Sequence, residues 1–327
     1  MKVSKLAVTG ALLVALSLAS GAVAQKSQPE QPAGLTAKEL LDRSMANPLR
    51  DQVEQAIEKR EYPEAEKLLI DEIHRQPKSP DLLKVLGGVF FLDGKYLNAA
   101  IAFRKAEGIV PLDPRSRFTL AMSYVILGHR DWARPELQKL KKDDPGNFLY
   151  PYWLSRLDYD SMRYKIAVSE LQEAIKLNPH FANAYDNLGL CLEALGHYDE
   201  AVHAYRRAVE LNHQPPVCSP WPALNLGALL IKMNRLDEAD VALKDSLHCA
   251  PRFPNAHYQL GLLLEKRGMY PEAIEQLQNA VTLKPSFADP YYALGRAYRH
   301  LGESKKAQAA LDTFQDLKKK ETASAGK

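Results

Sequence analysis

The chain has 327 residues and a net charge of +3, with 43 Lys and Arg against 40 Asp and Glu. So even a balance argues against a nucleic-acid footprint, which shows as a strongly basic domain, and the one basic run, Lys318 to Lys320, reads as a solvated helix terminus. Hydrophobic residues make up 46%, enough for most of the chain to bury a core.

Residues 1–24 differ in composition from the rest. Lys2 and Lys5 precede an apolar run from Leu6 to Leu18, and Ala22-Val23-Ala24 places small residues where a signal peptidase reads. Cleavage before Gln25 is expected. The apolar run is interrupted by Thr9, Gly10 and Ser17, whereas a membrane span takes about 20 apolar residues, so no span is expected after cleavage. Residues 25–34 are polar and Pro-rich and predict a flexible lead-in. A capping helix over 35–45 follows: Thr36 and Glu39 form a capping box, with Leu35 and Leu40 placed as a hydrophobic staple.

From residue 46 the chain repeats every 34 residues: 46–79, 80–113, 114–147, 148–181, 182–215, then, after four extra residues, 220–253, 254–287 and 288–321. Position 20 is always Ala, from Ala65 and Ala99 to Ala273 and Ala307. Position 7 is Leu in every repeat but the first, position 8 is small, and position 32 is usually Pro. Small residues at 8 and 20 let two helices approach closely, and Pro at 32 ends the second helix. The turn between the helices falls at position 15, where Gly94, Gly128, Gly196, Gly268 and Gly302 take positive φ freely and Asn234 is the next best residue. A pair of this size cannot bury its own apolar face, so repeats must stack. Residues 322–327 read as a disordered tail.

No phosphate-binding Gly-rich loop, HExxH or GxSxG is present, and the nine His form no i, i+4 pair. Neither catalysis, nor a cofactor, nor a dedicated metal site is expected. Trp132, Trp153 and Trp221 fall at repeat packing positions, as do Tyr62, Tyr96, Tyr164, Tyr198 and Tyr270 at position 17. Cys218 precedes the first helix of repeat six and Cys249 ends its second, so an antiparallel pair brings them near one another. A disulfide contributing about 3–4 kcal/mol, two free thiols, and a metal site with His213 and His248 all stay open. Cys191 reads as an inert buried thiol.

These columns, and stretches such as NLGLCLEALGHYDEAVHAYRRAVELN, resemble the tetratricopeptide repeat family over residues 46 to 321. The resemblance implies an all-α, right-handed superhelical solenoid of about eight helix-turn-helix repeats. It also implies that first-helix positions 2, 5, 6, 9, 12 and 13 line a concave face where partners lie. In repeats two to four those positions give an apolar and aromatic stripe, with Phe91, Leu92, Phe118, Met122, Tyr152, Arg156 and Tyr159 as candidate binding residues. Repeats five to seven carry Asn187, Asn225 and Gln259 at position 6, where the family's amides hold the backbone of an extended peptide. Lys266, Arg296 and Arg299 make a modest basic end. The alternative is that the protein covers the stripe itself, by tight winding or by helix 35–45 folding back. No three consecutive repeats supply the clamp that reads a chaperone's C-terminal carboxylate.

The expectation is a non-catalytic scaffold, periplasmic or secreted, holding a protein or peptide. A self-associating assembly factor (a homo-oligomer), or an accessory subunit of an envelope enzyme or polysaccharide export system, are the alternatives. Replacing Phe118 and Tyr152 with Glu is expected to abolish capture and leave helix content intact.

Overall fold

The computed structural model describes residues 36–212 and 218–325; the expected leader (1–24) and lead-in (25–34), Leu35 of the staple, and His213 lie outside them. The protein is an all-α helical-repeat solenoid, and the described residues contain no strand. The short helix α1 (Ala37–Ser44) opens on its capping box. Thr36 Oγ1 accepts from the Glu39 backbone N at 3.2 Å, and Glu39 Oε2 accepts from the Thr36 backbone N at 2.7 Å.

Sixteen helices follow, two per repeat. They are α2 (Asn47–Glu58) with α3 (Tyr62–Arg75), α4 (Pro80–Leu92) with α5 (Tyr96–Glu107), and α6 (Pro114–Ile126) with α7 (Arg130–Asp143). Next come α8 (Leu149–Asp160), which ends the first compact half, and α9 (Tyr164–Leu177), which opens the second, then α10 (Ala182–Ala194) with α11 (Tyr198–Asn212), and α12 (Trp221–Lys232) with α13 (Leu236–Cys249). The last are α14 (Pro254–Lys266) with α15 (Tyr270–Leu283), and α16 (Ala288–His300) with α17 (Ser304–Ala325). They fall into two compact halves, an N-terminal one up to Met162 and a C-terminal one from Arg163.

The repeat columns explain the packing. All eight position-20 alanines are buried, and at position 8 the approach is tight: a Cβ added to Gly189 would lie 2.5 Å from the Tyr205 ring. The position-15 turn keeps positive φ even where Gly and Asn are missing. Arg60 (φ 59°) and Met162 (φ 56°) adopt it in repeats one and four, because the register fixes the turn regardless of the residue that fills it. Repeat one is atypical in its packing too. Helix α4 rests on α3 and on α1, and Leu40, Leu41 and Met45 of the capping segment join Val53, Leu82 and Val85 in one buried cluster.

Two expectations need correction. Trp132 and Trp221 are 52 and 37% exposed rather than packed inside, Trp132 lying flat on His129 with centroids 4.3 Å apart. The expected tail from 322 instead continues α17 to Ala325, with Thr322 Oγ1 donating to the Lys319 and Lys318 carbonyls at 2.9 and 3.2 Å. No Gly or Pro interrupts that stretch, so nothing ends the helix earlier. No helix among the described residues is long and apolar enough to cross a membrane.

Candidate functional site

The apolar stripe of repeats two to four sits on α4, α6 and α8, all in the N-terminal half. It is mostly interior: Met122, Phe91, Tyr152 and Phe118 are 0, 5, 6 and 9% exposed. Leu92, Arg156 and Tyr159 are half-buried. Large side chains at these positions reach neighbouring elements and are consumed there. Phe118 packs on Tyr150 with centroids 6.1 Å apart, and Phe91 meets Tyr96 edge-on at 5.3 Å. Helix α1 lies against α4, and Leu92 packs on the cluster that α1 helps to form. At the N-terminus of α1, hydrogen bonds from Thr36 hold the Glu39 carboxyl below its ordinary range, and the charge of Arg115, next to the start of α6, adds to this. The expectation that Phe118→Glu with Tyr152→Glu would spare the fold is therefore corrected: each carboxylate would enter a buried, apolar place.

The same half buries charge. Arg117, 4% exposed, reaches both Glu136 and Glu107, with its Nη2 2.7 Å from Glu107. Arg104 reaches the same two carboxylates and donates to Tyr124 Oη at 3.0 Å. This four-charge knot ties α5, α6 and α7 together. Asp158, fully buried on α8, takes Arg134 Nη2 at 2.9 Å, and buried Lys84 is held by Asp81 at 3.2 Å and Asp113 at 3.8 Å.

In the C-terminal half the first-helix face is different. Asn187, Asn225 and Gln259 stand half-buried on α10, α12 and α14. Asn225 Nδ2 donates across to Asp186 Oδ1 at 2.9 Å, and Asn187 Nδ2 donates to the Asn183 carbonyl at 2.7 Å. Further along, Arg296 pairs with Glu265 at 2.7 Å, and Lys266 Nζ donates to the Ile231 carbonyl at 2.7 Å. Burial pushes the Glu265 carboxyl up, against the opposing charge of Arg296. Tyr258 and Tyr292 flank this basic end, Tyr292 being 46% exposed. Carboxamides both donate and accept, so a row of them can match the alternating N–H and C=O of an extended chain whatever its sequence. The sequence reading passed over Asp186, Tyr258 and Tyr292. All three occupy position 5, the position that had singled out Phe118 and Tyr152, so the signal was present.

Cys218 and Cys249 are joined in the structure, with Cα atoms 5.3 Å apart. On the near side, Asn212 Nδ2 donates to the Ser219 carbonyl at 2.7 Å while its Oδ1 accepts from the Ser219 backbone N at 3.1 Å. Ser246 Oγ donates to the Pro220 carbonyl at 2.8 Å, so the insertion's exit is pinned at several points to the end of repeat six. Cys191 is buried and takes no part in that disulfide. No three His, Cys, Asp or Glu side chains gather as metal ligands among the described residues.

Sequence profiles described as tetratricopeptide repeat match residues 50–114, 182–215 and 288–321, and one described as TPR repeat matches 266–302. No curated protein matches the chain in sequence. Among solved structures, a tetratricopeptide repeat protein from Parabacteroides merdae is 16% identical, with 80% of this chain and 98% of that one aligned at a TM-score of 0.60. The APC/C hetero-tetramer Cut9-Hcn1 gives 20% identity over 80% of this chain and 51% of that one, also at 0.60. PilW, a widely conserved type IV pilus biogenesis factor, is 21% identical over 62% of this chain and 92% of that one, at 0.57. These are likenesses of fold. Repeat columns, helix pairing and profile matches agree: the chain belongs to the tetratricopeptide repeat family.

Proposed function

We propose that this interaction scaffold is exported and holds an extended segment of another envelope or secreted protein along the first-helix face of repeats five to eight. The observation that carries the reading is the accessible row of Asn187, Asn225 and Gln259, continued by Tyr258, Tyr292 and the cations Lys266, Arg296 and Arg299. The apolar stripe of repeats two to four serves the fold instead, and no chemistry is assigned to either face.

Affinity capture from the cell-envelope extract, read by mass spectrometry, tests it. Asn225→Arg with Gln259→Arg is expected to lose the partner that the parent chain retains, with unchanged helix content. Equal capture by both would remove this face as the site.

Export is supported by the leader pattern of residues 1–24 and by the Cys218–Cys249 pairing, which suits an oxidising compartment. The recovered protein is expected to begin at Gln25. Of its three Cys, only Cys191 is expected to react with a thiol reagent after denaturation without reductant, and all three with reductant. A recovered chain that retains its leader, or three reactive thiols without reductant, would overturn this part.

A further inference from the structure

Within each compact half, consecutive second helices make little backbone contact with one another among the described residues, and the first helix between them packs on both. Three of the furrows between them are bridged wall to wall by side chains. Lys95 at the start of α5 reaches back to Glu66 of α3 at 2.6 Å, and Arg104 of α5 reaches Glu136 of α7 at 2.7 Å. Arg206 of α11 bridges to Glu238 of α13. Between α15 and α17, Gln278 Nε2 of one wall donates to Tyr298 Oη of the floor helix α16 at 2.9 Å.

The furrow between α9 and α11 is open. Position 25, which supplies the bridging Arg104 and Arg206, holds Gln172 here. The acceptor Glu200 stands where Glu238 stands one repeat later, but it pairs with His197 of its own repeat at 2.9 Å. The result is a cavity of about 640 Å³ over α10. Its floor is Leu188, Leu192 and Leu195, at three-four spacing, and Val168 and Ala204 line its walls. Leu188 is the one position-7 leucine of repeats two to eight that is only half-buried. Lys165 stands on one wall and Arg207 on the other. Lys165 has no ion pair among the described residues, and Arg207 has only an exposed one with Glu210 at 2.9 Å.

We propose that this furrow is a second docking surface, separate from the first-helix face, and that it takes an amphipathic helix of a partner protein bearing acidic residues along its edges. The floor stripe from Tyr185 to Leu195 is about three helical turns long, near 15 Å. A helix suits it better than an extended strand. The furrow offers side chains and no backbone edge, so a strand would leave its main-chain N–H and C=O groups unmatched, whereas a helix satisfies its own. Acidic edges answer Lys165 and Arg207 on the two walls, and apolar residues at three-four spacing answer the leucines.

The test uses the full chain and a fluorescent helical peptide of about 16 residues, with leucines along one stripe and glutamates along its edges. A second peptide carries lysines in place of the glutamates. Fluorescence anisotropy is expected to show saturable binding of the acidic peptide, weakened about tenfold or more by Lys165→Glu with Arg207→Glu. That double variant should now prefer the lysine peptide, an exchange that a merely unfolded variant would not give. Asn225→Arg with Gln259→Arg, which disables the first-helix face, is expected to leave this binding unchanged. No saturable binding to the parent, or equal binding to the Lys165→Glu/Arg207→Glu chain, would overturn the proposal. So would a concentration-dependent dimer in sedimentation velocity that the same double variant dissolves, since the furrow would then belong to a second copy.

Discussion

The two halves run on one 34-residue register and still build opposite first-helix faces. In the N-terminal half the face is closed. Aromatic and aliphatic side chains are buried, α1 rests on α4, and every buried charged side chain among the described residues lies in this half. In the C-terminal half the same positions carry amides, tyrosines and surface ion pairs, and they stay accessible. The lesson is about what an apolar stripe means in a stacked repeat. Large apolar side chains are the ones neighbours can bury, so they become core, while polar positions that gain nothing from burial remain to meet a partner.

The sharpest way to break this contrast is to attack the charge knot. Arg117→Met leaves buried Glu136 and half-buried Glu107 beside one remaining cation, and is expected to cost about 3–5 kcal/mol. Hydrogen exchange should show the loss in residues 36–162 and spare the C-terminal half. The counterpart Arg206→Met, which removes the exposed bridge to Glu238, is expected to cost under about 1 kcal/mol. If the two variants are equally costly, the halves are not stabilised differently.

Acid should separate the halves in the same direction. Burial raises the Glu107 carboxyl, but hydrogen bonds from Arg117 and Arg104 outweigh it and hold the group below its ordinary 4.5. The stability it contributes is therefore complete above that value and lost as pH falls through the lower, folded one. Glu265 is shifted the other way, so acidification relieves the cost of its partly buried charge. Exchange measured as a function of pH is expected to show protection around Glu107 falling only below about pH 4.5, with no matching fall around Glu265.

Ala201→Leu tests the packing both halves share, because its position is fully buried against the neighbouring helix; overpacking is expected to cost about 1–3 kcal/mol in chemical denaturation. A neutral result would mean that close helix approach does not set the register. The smallest effect is a gain. Arg60→Gly relieves a left-handed turn that only Gly takes without strain, and should stabilise repeat one by roughly 1 kcal/mol. The same change at Asn234, a residue that tolerates this conformation, should gain less.

What the sequence determined by itself is the repeat. Ala at position 20, a small residue at 8 and Gly at 15 act between two helices about a dozen residues apart, so their meaning is contained within one unit and survives without knowledge of the neighbours. The capping box at Thr36 and Glu39 was legible for the same reason, as was the approach of Cys218, just before the first helix of repeat six, to Cys249, at the end of its second. Exposure was decided only by tertiary structure. Nothing local to Met122 or Phe118 says that neighbouring elements will cover them, and nothing local to Gln172 says that the furrow beside it will stay open where Arg206 closes the next. Burial is a property of the neighbours a residue acquires, and those neighbours come from stacking one repeat on another.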